Sequence, residues 1–347
     1  MMLHDGRLPW PLVFQVLAVA AAVWLVVNTW QIWLVVFTAL IVAAAILPAA
    51  RLGERYRVPR GVTVFVVYLV AAGVLALVAR LLWPALTEQW TQFMDQLPKL
   101  IENVRGWLGS LDTYIGRWGA SLSVPQASSV QDVVGTVLAN TLRVTAGVVG
   151  GVVGILAVLV IAAYLVMDAR ELGHGALAIV PPAYRPVVME LAEPVLDRIG
   201  GYVRGQLLVS ICVGTILAIG LTALGVRYAL LIGALAAVLN VVPWLGSFIA
   251  AVLGVVAALN ESAALAGGTV LLFWGTNVLE GKLLVPYLVG RATGLHPLSV
   301  LIALLAGAHL GGLVGALVAV PLLAAVWQIL RTLWVEPRRV LPPTGRA

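Results

Sequence analysis

The sequence predicts an all-α protein that crosses a membrane several times. Of its 347 residues, 62% are hydrophobic and only 10% are charged, and the mean hydropathy is +1.04. A soluble protein would carry about 25% charged residues. The apolar stretches are unbroken, unlike the alternating strands of about 10 residues in membrane barrels. Because a bilayer core offers the backbone no water, such stretches must form helices, whose hydrogen bonds are internal.

About eight apolar segments follow one another along the chain, and a spanning helix needs roughly 20 such residues. We expect three helices in an N-terminal region, residues 1–83, and a fourth within residues 143–167. The other four belong to a C-terminal membrane region, residues 205–335. The eight segments are 12–27, 32–50, 61–79, 144–167, 205–226, 228–259, 262–279 and 297–330.

Two of these segments are too long for one upright helix. At 1.5 Å per residue, residues 228–259 and 297–330 would each extend about 50 Å, against a bilayer core of roughly 30 Å. Each contains helix-breaking residues near its middle: Pro243 and Gly246 in the first, and Gly311, Gly312 and Pro321 in the second. We expect both segments to be broken, as tilted and kinked helices or as helical hairpins. Hairpins would place Lys282 and Arg291 on the cytoplasmic side, where basic residues are favoured, so we prefer them.

Basic residues also predict the orientation of the chain. Residues 51–60 contain four arginines and should be cytoplasmic, because short cytoplasmic loops are enriched in Lys and Arg. Both termini then lie in the cytoplasm, including the basic tail at 336–347. We therefore expect a multi-pass protein of the cell inner membrane, with the lipid bilayer as its main partner.

A polar region, residues 84–142, separates the third and fourth segments and should be extracytoplasmic. Its apolar residues recur at steps of four and three, which predicts one apolar face of a helix. They are Leu86, Trp90, Phe93, Leu97, Leu100, Val104, Trp107, Leu111, Tyr114 and Trp118. Pro98 kinks this helix or starts a second one. The face packs on the protein's own membrane region or at the membrane interface, or it joins subunits of a homo-oligomer.

Residues 168–204 form the other long connection and should be a cytoplasmic amphipathic connector. Apolar residues from Val188 to Tyr202 line one helical face, and charged residues lie largely opposite. Such a helix is typical of the membrane surface or the underside of a helix bundle.

Signatures of enzymes are missing from the sequence. We find no HExxH, no GxSxG, no Walker A loop and no GxGxxG. Cys212 is the single cysteine, which excludes an intramolecular disulfide and a cysteine-rich metal site. We therefore expect no enzyme activity, no metal and no cofactor. The net charge of +6 comes mainly from residues between apolar segments, so we expect no nucleic-acid partner.

Polar residues and helix breakers inside the apolar segments mark the candidate site. A polar side chain in lipid is costly and is functional by default, and broken helices expose backbone groups to a solute. The predicted binding residues are Asn240, Pro243, Gly246, Asn277, Glu280, Pro286, His296, Pro297, His309, Gly311 and Pro321. For Glu280, an alternative is an ion pair with Lys282 or Arg291. For His309, the alternative is a hydrogen-bonded packing residue. We interpret Gln206 as a residue that reaches the membrane interface.

Glycines recur at GxxxG spacing in two segments. Residues 147–154 contain two overlapping pairs, and Gly307, Gly311 and Gly315 form GxxxGxxxG. Small residues at this spacing let helices pack closely. The alternative is a glycine-rich broken helix that exposes its backbone to a solute.

Several spaced motifs in the C-terminal half resemble the AI-2E (autoinducer-2 exporter, PerM-like) transporter family. They are GYVRGQ at 201–206, LNVVPWLG at 239–246, EGKLLVP at 280–286 with GLHP at 294–297, and GGLVG at 311–315 with VP at 320–321. Residues 10–200 match only by layout. The resemblance implies a membrane permease without an ATPase. Family members are assigned export of autoinducer-2, some are linked to sodium/proton antiport, and oligomers are expected.

The functional prediction is a secondary transporter or facilitative exporter of a small solute, with residues 205–335 as its transport core. Glu280 is the expected titrating residue if transport is coupled to protons or sodium. An ion channel is another possibility. A non-transporting oligomeric scaffold is an alternative of a different class, in which the apolar faces are the whole function. A cavity that reaches Asn240 or Glu280 would favour transport, and a solid apolar bundle would favour a scaffold.

Overall fold

The computed structural model describes residues 28–116, 148–289 and 295–335, and a few positions between 17 and 25. Within these ranges the chain forms helices and turns and no strand, which confirms the all-α prediction. The helices are α1 (Trp30–Arg55), α2 (Arg60–Gly116), α3 (Val148–Met167), α4 (Ala169–Ile179), α5 (Arg185–Leu224), α6 (Ala229–Leu239), α7 (Leu245–Leu259), α8 (Ala263–Leu279) and α9 (Pro297–Leu330). A 3-10 turn (Pro182–Tyr184) precedes α5, and π-helical segments (Glu280–Val289 and Arg331–Val335) extend α8 and α9. The predicted segment at 12–27 lies largely outside the described residues.

Four of the described helical stretches are long and apolar enough to cross a membrane: Trp30–Arg55, Arg60–Leu100, Pro182–Leu224 and Leu298–Trp334. A fifth crossing is possible through α3 and α4, which meet at an angle of 80°. Large apolar side chains of α2, such as Phe65 and Leu69, point away from the protein. Lipid is the solvent that suits such a surface, so the chain is a multi-pass membrane protein.

Helices α6 and α7 form the first predicted hairpin. They contain 11 and 15 residues and are therefore about 17 and 23 Å long, too short to cross the bilayer core. Residues 240–244 join them, and Trp244 adopts the left-handed conformation, with φ of 66°. A side chain at Gly246 would lie 2.7 Å from the Ala236 carbonyl oxygen and from Asn240 Cα. This glycine therefore allows the two helices to meet at the tip.

Helix α9 contains the second predicted break. Gly311 and Gly312 leave the helical conformation, and Gly312 has φ of 58° and ψ of −142°. Gly307 and Gly315 are in backbone contact, although eight residues of straight helix would separate them by about 12 Å. The chain therefore reverses between them, which confirms that segment 297–330 is hairpin-like. Pro321 lies inside the second limb and does not interrupt it.

The first half of the predicted apolar face of α2 packs on the protein itself. Residues 86–103, here called the α2 arm, continue the membrane helix through Pro84 and Pro98 without a break. Phe93 and Leu100 are buried in the core with residues of α5–α9. Side chains after position 103 are mostly outside the described set, so the subunit-association interpretation stays a prediction.

Polar bonds attach the α2 arm to the base of the α6–α7 hairpin. The Leu231 backbone N–H donates to Gln89 Oε1 (2.9 Å), and the Tyr228 hydroxyl donates to Gln96 Oε1 (3.0 Å). Asn103 Nδ2 donates to Asn260 Oδ1 (2.6 Å), just after α7. Both ends of the hairpin base are therefore held by one helix.

Helix α5 is continuous from the predicted connector into the predicted membrane region, and it is joined closely to α1. Pro48 lacks an N–H, so the Ala44 carbonyl loses its usual partner in α1. Arg204 Nη1 donates to this carbonyl (3.5 Å) and to that of Ala45 (3.0 Å). Gly200 lacks a side chain that would collide with the Ala44 carbonyl, which allows this approach.

Candidate functional site

Glu280 is a buried carboxylate at the point where α8 changes into its π-helical extension. The residue is only 5% exposed. The ion pairs formed by the described residues do not include Glu280. Lys282, one of its predicted partners, is exposed, and Arg291 lies outside the described residues. Among the described residues, the groups that bond to this carboxylate are therefore neutral.

The tip of the α6–α7 hairpin supplies those neutral groups. Asn240, at the end of α6, is fully buried, and its Nδ2 donates to Glu280 Oε1 (2.9 Å). Ser247, in the first turn of α7, has its hydroxyl oxygen 3.4 Å from Glu280 Oε2 and 3.4 Å from Asn240 Oδ1. The break between α6 and α7 thus brings two donors to one carboxylate.

Helix α5 holds this tip in place. A carbonyl at the end of a helix has no partner within the helix, and Gln206 Nε2 donates to the Asn240 carbonyl (2.7 Å). The Ser210 hydroxyl in turn donates to the Gln206 backbone carbonyl (2.8 Å). A side chain at Gly205 would lie 2.7 Å from Val289 Cα. Gly205 therefore lets α5 contact the π-helical segment beside Glu280.

A cavity of about 440 Å³ lies next to this polar cluster. Its polar lining comes mainly from Glu280, Asn277 and Gln206, and its aromatic lining from Tyr202 and Trp244. Aliphatic residues complete it, namely Val285, Val289, Leu295, Val300 and Val320, with Pro243 and Gly281. A mostly apolar cavity of this size with a few converging polar groups is typical of small-molecule sites.

Several of the predicted site residues meet at this cavity. Pro243, Asn277 and Glu280 line it, Asn240 bonds to Glu280, and Gly246 packs beneath Asn240. The hairpin tip and the end of α8 are therefore one site.

The other predicted site residues lie elsewhere. Pro286 is exposed, and His296 caps α9 through a bond from the Leu298 N–H to its Nδ1 (3.2 Å). Pro297 begins α9, and His309 is exposed on its first limb. Gly311 packs near Leu34 of α1, and Pro321 is buried beside Val320. Pro286, His296, His309, Gly311 and Pro321 do not line the cavity or bond to the carboxylate, and the Pro297 side chain lies outside the described set.

Sequence reasoning missed Gln206 as a site residue and did not single out Ser247, Trp244 or Tyr202. Gln206 was interpreted as reaching the membrane interface, but it is buried. A usable signal existed, because Tyr202, Gln206 and Ser210 recur every four residues and share one helical face.

A second cavity, of about 650 Å³, lies between α1 and α9. Trp30, Trp33 and Phe37 line it on one side, and Gly307 and Gly311 contribute on the other. Its lining is almost entirely apolar, so it offers no group that could bind a polar solute. Among the described residues there is also no cluster of three or more metal-ligating side chains.

Comparison with known proteins gives one consistent result. The family model described as "AI-2E family transporter" matches residues 12–334. The chain is 28% identical over 288 residues to "Putative transport protein YueF" of Bacillus subtilis (strain 168), covering 80% of this chain and 78% of YueF. It is 27% identical over 292 residues to "AI-2 transport protein TqsA" of Escherichia coli (strain K12), covering 82% and 81%. "Putative transport protein YrrI" of Bacillus subtilis is 27% identical over 310 residues, covering 87% and 86%.

Proposed function

The chain belongs to the AI-2E transporter family, and from this premise we propose that it is a permease that carries a small solute past Glu280. It would act as a secondary transporter or a facilitative exporter. The cavity beside Glu280 is the proposed binding site. Glu280, Asn240, Gln206 and Asn277 are its proposed polar groups.

The observation that carries this proposal is a buried carboxylate next to a cavity, which forms no ion pair with any residue that the structure describes. A charge in a membrane protein's interior is costly, and such residues are usually paired or lie on a substrate or ion pathway. Glu280 receives hydrogen bonds from two neutral side chains, which orient the carboxylate without cancelling its charge. A mobile cation or a proton is the natural complement, so Glu280 is the proposed coupling residue.

The solute is proposed to be a small metabolite. A relative in Escherichia coli is named an AI-2 transport protein, so an autoinducer-2-like signal is one candidate. The few polar groups of the cavity would orient such a solute, and its apolar wall would accept the remaining surface.

A sodium/proton antiporter is the second candidate function. It is favoured by the same carboxylate, because one buried Glu can hold either a proton or a metal cation. A non-transporting scaffold is less well supported, since a cavity reaches the polar cluster where a scaffold would need only a solid bundle. We also propose an inner-membrane location with both termini cytoplasmic, and a homo-oligomeric assembly.

Flux into proteoliposomes tests the role of Glu280. The unmodified protein is screened with a panel of metabolites, including autoinducer-2, and with sodium under a proton gradient. Glu280→Gln should abolish coupled flux while leaving the protein monodisperse in detergent. Glu261→Gln is the matched control, because Glu261 pairs with Arg227 at the other end of the hairpin (2.7 Å). Equal coupled flux in Glu280→Gln and the control would remove Glu280 from the mechanism.

A further inference from the structure

Two buried polar atoms remain unsatisfied where the first half of α5 packs against the end of α9. Within the described part of the chain, Arg198 Nη1 and Gln328 Oε1 are the buried side-chain atoms that have no hydrogen-bond partner. One is a charged donor and the other is an acceptor. The other end of the Gln328 amide is occupied, since its Nε2 donates to Thr332 Oγ1 (3.2 Å). A buried charged donor without an acceptor is costly, and a bound anion would supply the acceptor that Arg198 Nη1 lacks among the described residues.

A second positive charge lies close to Arg198. Arg331, in the extension of α9, lies close enough to Arg198 for the two positive charges to repel each other. The nearest carboxylates on α5, Glu193 and Asp197, are bound by Arg51 at 3.2 and 3.1 Å. The ion pairs among the described residues do not include Arg198.

The position of Arg198 and Arg331 in the fold indicates which anions can reach them. Arg51 lies near the end of α1, and Arg331 follows the last turn of α9. The ends of two apolar helices therefore meet the charged face of α5 here, at the level where the bundle leaves the membrane. The arginines of residues 51–60 predict that this is the cytoplasmic side, whose leaflet carries anionic lipids. Basic pockets between helices at this level bind phosphate headgroups.

We propose that Arg198 and Arg331 bind a phosphate group, supplied either by a lipid headgroup or by free inorganic phosphate. Guanidinium groups match phosphate oxygens in geometry and charge. Gln328 Oε1 accepts a hydrogen bond from a hydroxyl, which both phosphatidylglycerol and the phosphate monoanion carry. The site is separate from the cavity beside Glu280, and it anchors α5 to the end of α9.

The binding test uses the full chain, purified in detergent and analysed by native mass spectrometry. The probes are phosphatidylglycerol, phosphatidylcholine and inorganic phosphate. We expect phosphatidylglycerol to bind and to raise the melting temperature, and phosphatidylcholine to do neither. Arg198→Gln and Arg331→Gln should each weaken phosphatidylglycerol binding by roughly tenfold or more, because hydrogen bonds to charged groups are the stronger class. Arg198→Lys should restore part of it.

The control is Arg55→Gln, which removes one exposed arginine at the same predicted face of the membrane. Stabilisation by phosphatidylglycerol alone identifies the lipid headgroup as the ligand, whereas equal stabilisation by inorganic phosphate identifies the free anion. The proposal is wrong if both arginine variants retain phosphatidylglycerol as well as Arg55→Gln does. Gel filtration of each variant shows whether it is folded, and the two separate variants keep the test decisive if one fails to fold.

Discussion

Replacing Gly246 by alanine should displace Asn240 from Glu280. The new Cβ would lie 2.7 Å from Asn240 Cα and 2.7 Å from the Ala236 carbonyl oxygen. Ordinary contact between carbon atoms needs about 3.5–4.0 Å, so α6 and α7 must separate by about 1 Å at the tip. The colliding atoms belong to the backbone, so no side-chain rotation relieves the overlap. A shift of this size would lengthen the 2.9 Å bond from Asn240 to Glu280 beyond hydrogen-bond range.

The expected cost is about 1–3 kcal/mol for the overpacking, partly offset by up to ~1 kcal/mol from the better helix propensity of alanine. Flux in proteoliposomes should fall by about tenfold, because a net loss near 1.4 kcal/mol in the aligned site corresponds to a factor of ten. Gly275→Ala in α8 is the matched control, since a Cβ there meets nothing within 4 Å. If Gly246→Ala transports as fast as Gly275→Ala, the close approach at the tip does not position Asn240.

Two further substitutions test the fold around the site. Gly312→Ala should lower the melting temperature in detergent, because the φ of 58° and ψ of −142° at this position suit glycine and cost other residues about 1–3 kcal/mol. The control is Gly154→Ala, in open space within α3, which should leave the melting temperature unchanged. The same melting temperature for both variants would contradict a strained reversal in α9. Phe93→Ala should destabilise the protein by about 3–5 kcal/mol, because Phe93 is 4% exposed and packs edge-on against Tyr228 with ring centroids 5.3 Å apart. Denaturant unfolding in detergent measures this loss. A decrease in the free energy of unfolding of less than about 1 kcal/mol would show that the α2 arm does not pack on the core in the purified protein.

The sequence predicted the membrane class and both helix breaks, because these follow from length and local chemistry. An apolar segment longer than the bilayer is thick must tilt, bend or turn back, and Gly312 or the Pro243–Gly246 stretch marks where it does so. The same reasoning singled out Asn240 and Glu280, since polar groups are unusual in apolar segments and these two flank the breaks, and the structure joins them by a hydrogen bond.

Residues whose role depends on contacts between distant helices could not be assigned in the same way. Gln206 lies near one end of an apolar segment, where a polar side chain normally reaches water. Only the tertiary structure shows that its amide satisfies the carbonyl of Asn240, 34 positions later. Pro98 does not start a second helix, because it lies inside the continuous helix α2. His309 is exposed on α9 although it lies in an apolar segment.

The α6–α7 hairpin is held at its base by the α2 arm and at its tip by Gln206 and Glu280. Gln89, Gln96 and Asn103 hold the base of the hairpin, and the tip with Asn240 lies at the opposite end. A rotation of the hairpin about its base would displace the tip more than any other part of it. A rotation of the hairpin about this base would therefore stretch the bonds from the tip to Gln206 and Glu280 while the bonds to the arm stay intact.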